Sequence, residues 1–119
     1  MKKTVVIGAS PNPERYAYQA VRSLKLHGHE VIAVGLRAGE IDGISIHVDK
    51  PKIDEVDTIS LYVGPAHQSA WYEYMESLHP KRLILNPGTE SKEIIDWAQE
   101  HNITVDQACT LVLLSIGSY

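Results

Sequence analysis

The stretch TVVIGASPNPERYAYQAVRSLKLHGHEVIAV, residues 4–34, decides the fold. It opens with Thr4-Val5-Val6-Ile7, an unbroken β-branched run of the kind found in a central strand covered on both faces. Gly8 ends the run. Residues 14 to 27 follow, with Ala17, Ala20, Val21 and Leu24 forming an i, i+3, i+4, i+7 stripe, so an amphipathic helix is expected there. Asn12 is the expected cap, Pro13 the first helical position and Gly28 the left-handed residue that stops the helix. Val31-Ile32-Ala33-Val34 then supplies a second strand, which completes one βαβ unit.

Outward from that unit the alternation continues. Gly39 and Gly43 punctuate a loop, and Ile44, Ile46 and Val48 alternate with Ser45 and His47 as in a strand at a sheet edge. Thr58 to Val63 makes a fourth strand, stopped by Gly64-Pro65, and Trp71, Tyr74, Met75 and Leu78 repeat the helical spacing. Leu83-Ile84-Leu85 is the fifth strand, ending at Asn86-Pro87-Gly88. Ser91 opens a helix whose inward stripe is Ile94, Trp97 and Ala98. Strands separated by single helices do not pair as hairpins. The expected architecture is therefore a single-domain, three-layer, Rossmann-like α/β fold with a parallel sheet in the order 3-2-1-4-5, to which Ile103-Thr104-Val105 offers a sixth strand. Ala108 to Ile116 is apolar almost throughout, as either a buried helix or a surface that a second subunit covers.

The 119 residues are enough for one domain and its core, and 44% hydrophobic with 22% charged residues excludes a disordered or fibrous chain. A net charge of −4 argues against a broad grip on nucleic acid, so an anion site must be local. Cys109, the one cysteine, excludes an internal disulfide and a multi-cysteine zinc site. With no long apolar span and no signal segment ahead of the first strand, a cytoplasmic protein without membrane contact is expected.

Ligands of open parallel sheets bind beyond the carboxyl ends of the strands. Four loops share that edge: Gly8 to Pro13, Gly35 to Gly39, Gly64-Pro65-Ala66-His67 and Asn86-Pro87-Gly88-Thr89. All four are expected to converge on one crevice. In the first, Gly8 allows close backbone approach, and the N–H groups of Ala9 and Ser10 with the Ser10 hydroxyl can face a phosphate. An ordinary strand-to-helix turn reads equally well there. Arg15 opposes the dipole of the following helix, a placement that a bound anion would relieve, whereas Glu14 must point away. Tyr16 and Tyr18 suit either core or pocket wall.

The glycine-rich dinucleotide fingerprint fails twice, because Ser10 and Pro13 stand where its later glycines belong. No carboxylate follows the second strand. Gly35, Leu36 and Arg37 stand there instead, and a guanidinium suits a phosphorylated ribose, which favours coenzyme A or NADP over NAD. His67 is placed to start a helix, contact a ligand or act as an acid or base. Cys109 reads as a small buried residue or as a thiol near the crevice. His27 and His29, between helix end and strand start, and the run Asp54, Glu55 and Asp57 fall at the opposite edge, where solvated turns are expected.

These residues resemble a known group, the small stand-alone CoA-binding proteins related to the N-terminal domain of the succinyl-CoA synthetase α subunit. The likeness spans nearly the whole chain. It is carried by Gly8-Ala9-Ser10 with Pro13, Arg15 and Tyr16, by LKLHGHEVIAV from Leu24 to Val34, by Ile41-Asp42-Gly43, and by Asn86-Pro87-Gly88 with Cys109. The resemblance implies a CoA diphosphate near Gly8, Ala9, Ser10 and Arg15 and an adenosine end near Gly35, Leu36 and Arg37. Gly64-Pro65 and Asn86-Pro87-Gly88 would border the rest of the groove. The chain departs from the group where Val-Asn-Pro usually follows the second strand. With Pro11, Tyr16 and His67 added from the same loops, this is the candidate contact set, and no residue is assigned a catalytic or metal-binding role.

The synthetase also needs a second domain carrying a phosphorylated histidine and a partner subunit, for which the chain has no room, so its activity is not implied. The expected function is binding of CoA or an acyl-CoA without self-contained catalytic machinery. Two alternatives stay open: an NADP-binding enzyme or redox sensor, and an interaction protein with a vestigial site that forms a homo-oligomer through its apolar C-terminal segment.

Overall fold

The computed structural model describes residues 1–119. Its order of elements is β1 (Thr4–Ile7), α1 (Tyr16–Leu26), β2 (Val31–Val34), β3 (Glu40–Ile41), β4 (Ile44–His47), β5 (Thr58–Leu61), a 3-10 segment (Pro65–Trp71), α2 (Tyr72–Ser77), β6 (Arg82–Leu85), α3 (Lys92–Glu100), β7 (Thr104–Gln107) and α4 (Thr110–Ser115). The strands form one seven-stranded sheet in the order β3-β4-β2-β1-β5-β6-β7. All neighbours are parallel except β3 and β4.

The expected parallel order appears intact within this sheet, including the sixth strand as β7. The outermost position is the difference. A two-residue strand, Glu40–Ile41, folds back antiparallel on β4, pairing Ile41 with Ile44. The strand expected at the edge is thus covered on both sides. Asp42 and Gly43, both at positive φ, make the tight turn that permits this. Val48 lies beyond β4 and is exposed.

Burial on both faces explains why β1 has no polar alternation. Val5 and Ile7 belong to a fifteen-residue cluster with Trp71, Tyr74, Met75, Leu78, Ile94 and Ala98, packed under the 3-10 segment, α2 and α3. Val6 points the other way, into a nine-residue cluster with Ala17, Val21, Leu24 and Leu114 beneath α1 and α4. Successive strand side chains face opposite layers, so in a strand with two cores both sets are buried, as Thr4, Thr58 and Ser60 are beside their apolar neighbours.

The helix starts are where local signals and structure part. α1 begins at Tyr16 with Arg15 in the cap position, so Asn12 does not cap it and Pro13 is not its first residue. Asn12 instead closes a turn one step earlier, its Oδ1 accepting the Glu14 N–H at 3.0 Å and its carbonyl accepting the Arg15 N–H at 3.0 Å. An Asx turn competes with helix initiation for the same donors and wins here. Ser91 does cap α3, accepting the Ile94 N–H at 3.2 Å. The apolar C-terminal segment is a short helix with Leu114 buried and Val112 and Ile116 exposed, so one edge packs on the sheet and the other faces out. No helix is long and apolar enough to cross a membrane.

Candidate functional site

From β1 the chain moves outward through β2 to β4 and β3, then returns to the other side of β1 as β5. The connections leaving β1 and β5 therefore diverge, and a crevice opens at their carboxyl ends. There the structure has a cavity of about 820 Å³, within the range of small-molecule sites. Gly8, Ala9, Ser10, Asn12 and Arg15 contribute from the first loop, Tyr16 and Ala17 from the start of α1, and Leu36 and Arg37 from the loop after β2. Tyr62, Val63 and Gly64 come from the end of β5, and His67 and Trp71 from the 3-10 segment. No carboxylate is in this lining, although the chain as a whole is acidic.

Gly8 has φ +94, and a Cβ there would meet the backbone of Tyr62 at 3.1 Å, so only glycine lets β1 turn this close to β5. Gly35 serves the neighbouring approach. A Cβ on it would fall closer than 3 Å to the Ala9 carbonyl oxygen. The loops after β1 and β2 thus touch backbone to backbone, tied further by the Gly8 and Ala9 N–H groups, which both donate to the Val34 carbonyl at 2.9 and 3.0 Å. The Ala9 N–H is consequently spent inside the fold and does not face a ligand, contrary to expectation. The Ser10 hydroxyl oxygen accepts the Asn12 N–H at 3.1 Å, which leaves its own proton free to donate outward.

Arg15 and Arg37 are exposed and make no ion pair within the chain. The first turn of α1 holds no acidic residue and no side chain caps it, so its amides and positive dipole end open on the same cavity. Glu14 is exposed and lies outside the lining. Two guanidinium groups, a free hydroxyl proton and an uncapped helix start are donors only, and they fit a phosphorylated ligand. Ala17, Tyr62, Val63 and Trp71 add apolar surface to the same cavity.

Of the fifteen residues expected to contact ligand, nine line the cavity: Gly8, Ala9, Ser10, Arg15, Tyr16, Leu36, Arg37, Gly64 and His67. Six do not. Pro11 packs against Gly39, Gly35 is consumed by the loop contact, and Pro65 begins the 3-10 segment on the outside. Asn86, Pro87 and Gly88 lie outside the lining, with Pro87 and Gly88 exposed. The Asn86 side chain is buried, donating to Ser60 Oγ at 3.0 Å and the Leu61 carbonyl at 2.9 Å and accepting the Thr110 N–H at 2.9 Å. It anchors α4 to the sheet. Three loops line the crevice rather than four, because β6 lies one strand beyond the switch point and the loop after it is tied to the buried Gln68, which donates to the Thr89 carbonyl.

Tyr62 and Trp71 were not expected at the site. Trp71 sat in an apolar stripe and is indeed buried in the core, yet it also presents a wall to the cavity. Tyr62 runs the opposite way: its hydroxyl is buried without a partner, and desolvation pushes the phenol well above its ordinary pKa. Tyr62 is read from sequence inside the fourth strand, Thr58 to Val63, but β5 ends at Leu61, which puts Tyr62 at the binding edge. Cys109 caps α4 half-buried and lies outside the cavity lining. At the opposite sheet edge, His29 Nδ1 accepts the Lys2 N–H at 3.0 Å, and His27 lies within 2.8 Å of the Ser23 carbonyl.

A family model described as a CoA binding domain matches residues 2–115. The chain belongs to that family. The crystal structure of an uncharacterized protein is similar over 100% of this chain and 98% of its own, at 48% identity and a TM-score of 0.97. A hypothetical protein of Pyrococcus furiosus is 26% identical with a TM-score of 0.82, covering 94% of this chain and 98% of its own. An acetyl-coenzyme A synthetase of Ca. Korarchaeum cryptofilum, solved with phosphate and ADP, shares the fold at 19% identity and a TM-score of 0.71; the match spans 87% of this chain and 25% of the synthetase. No curated protein matches. Membership in the CoA binding domain family supports a CoA-type ligand, and the arginines of a crevice without carboxylates fit its phosphates.

Proposed function

We propose that the protein binds coenzyme A or an acyl-CoA in the β1/β5 crevice and holds it without converting it. The observation that carries this reading is a cavity of about 820 Å³ lined by two unpaired arginines and no carboxylate in a protein of net charge −4. Arg15, the Ser10 hydroxyl and the start of α1 would hold the diphosphate, and Arg37 with Leu36 the phosphorylated ribose and adenine. Val63, Trp71 and the edge of His67 would receive the pantetheine arm. A bound CoA would supply a thiol or thioester; the chain's part is to orient and neutralise it. A cytoplasmic setting is consistent with this ligand.

Calorimetry with CoA, dephospho-CoA, ADP, NADP and NAD tests the reading. CoA binds more tightly than dephospho-CoA, and Arg37→Ala removes that difference. Absence of heat with CoA, from protein shown to be folded, refutes it. Arg37 also favours a second reading, an NADP-binding enzyme or redox sensor in which His67 acts as acid or base; NADP binding without CoA binding would select it. The exposed Val112 and Ile116 of the C-terminal segment are what a homo-oligomer formed through that segment would cover. Light scattering on Val112→Asp against the unaltered protein tests that assembly.

A further inference from the structure

The wall of the crevice formed by Trp71 is held from behind by a residue outside the site. Trp71 ends a seven-residue 3-10 segment, longer than such runs usually persist, because i to i+3 bonding aligns side chains poorly and leaves strained bonds. Such a segment needs external ties. Gln68, buried at its centre, supplies one by donating to the Val63 carbonyl at 2.9 Å and to the Thr89 carbonyl. The others come from the loop after β4. Lys50 places its ammonium 4.6 Å from the centre of the Trp71 ring and donates to the Ala70 carbonyl at 3.0 Å. Tyr74, edge-on to Trp71 with centroids 6.1 Å apart, donates its hydroxyl to the Pro51 carbonyl at 2.7 Å.

Lys50 adopts this position at φ +49, in the left-handed region that a residue with a long side chain rarely occupies. A chain that only needed to turn there would be better served by glycine or asparagine. The strained backbone aims the ammonium at both the ring and the carbonyl of adjacent residues, Trp71 and Ala70. Both contacts bear on the last turn of the segment that carries His67 and Trp71 into the crevice.

We propose that Lys50 is a positioning residue for the ligand crevice: by capping the Trp71 ring and the Ala70 carbonyl together, it fixes the apolar wall against which the bound molecule packs. The inference rests on the crevice being the CoA site, but the hold of Lys50 on Trp71 can be read without ligand.

Two variants test it. Lys50→Asn accepts the left-handed backbone but cannot reach the ring, and Lys50→Arg retains both the cation over the ring and the donor. CoA affinity measured by calorimetry falls about two- to fivefold in Lys50→Asn, the worth of one such contact, and returns in Lys50→Arg. In ligand-free protein, the indole N–H resonance of Trp71 shifts in Lys50→Asn and is restored in Lys50→Arg, while that of Trp97, stacked 5.1 Å from Tyr72 on another helix, stays in place. Trp97→Phe assigns the two signals, and Trp71→Phe does so should the first fail to fold. Unchanged affinity in Lys50→Asn, an unmoved Trp71 resonance, or failure of arginine to restore both overturns the proposal. Should the unaltered protein not bind CoA, the site reading fails, and the resonance alone decides whether Lys50 holds the wall.

Discussion

Gly35→Ala is the sharpest perturbation of the crevice, although the residue touches no ligand-facing space. The added Cβ would lie closer than 3 Å to the Ala9 carbonyl oxygen and 3.2 Å from the Ala9 carbonyl carbon, both backbone atoms that cannot rotate away. The loops after β1 and β2 must then part by on the order of 1 Å to reach ordinary contact. Overpacking of this kind costs about 1–3 kcal/mol. The same movement stretches the bonds of the Gly8 and Ala9 N–H groups to Val34, or that of the Gly35 N–H to the His47 carbonyl, and losing one adds about 1 kcal/mol.

The combined loss of about 2–4 kcal/mol corresponds to a melting temperature lowered by roughly 8–16 °C, from the unfolding entropy usual for 119 residues. Gly64→Ala is the control. Gly64 also borders the crevice, but it has φ −68 and open space where a Cβ would go, so alanine leaves stability unchanged or raises it by about 0.4–1 kcal/mol. Thermal unfolding followed by circular dichroism measures both. If Gly35→Ala melts within about 2 °C of the unaltered protein, on the same stability scale, the close approach of the two loops is not what shapes the site.

Arg15→Ala lowers CoA affinity about ten- to a hundredfold, the worth of a charge-assisted hydrogen bond, with melting temperature nearly unchanged because the side chain is exposed; calorimetry and melting together check this. Asn86→Ala removes three buried bonds and leaves the Thr110 N–H without an acceptor, a loss of about 2–4 kcal/mol by urea unfolding. In base, burial raises the Tyr74 phenol from 10.0 to about 12, so the native state holds that proton more tightly than the unfolded chain. Stability is full below pH 10 and falls as pH rises from there through 12, and Tyr74→Phe makes the decline shallower in urea titrations at successive pH values. In acid the sign reverses: His29 is lowered from 6.5, chiefly by burial and then by the N-terminal amine, His27, Lys2 and Arg82. Its contribution is present above pH 6.5 and lost as pH falls below it, so melting temperatures between pH 7.5 and 5 drop less in His29→Asn.

The sequence carried the layered fold because its signals are local and repeated. Two cores favour strands without polar alternation, and Val5–Ile7 and Leu83–Leu85 show that pattern without reference to anything distant. That nine of the residues expected to contact ligand line one cavity has the same source, since the strand ends locate the binding edge wherever the alternation of elements is regular. Caps were less legible. Asn12 and Pro13 satisfy the rules for a helix start equally well as an Asx turn, and α1 starts only at Tyr16 although its buried stripe of Ala17, Ala20, Val21 and Leu24 is the expected one.

What no window of the chain could show is how far each loop reaches once the strands are paired. Asn86-Pro87-Gly88 has the composition of a ligand loop, yet Asn86 finds its partners on Ser60, Leu61 and Thr110, residues at least 24 positions away. Gly35 looks like a ligand contact until Ala9 arrives beside it from another strand. Periodicity and punctuation follow from forces between near neighbours, so they are written along the chain. The choice between lining a cavity and filling an interface depends on atoms that meet only after the sheet has assembled.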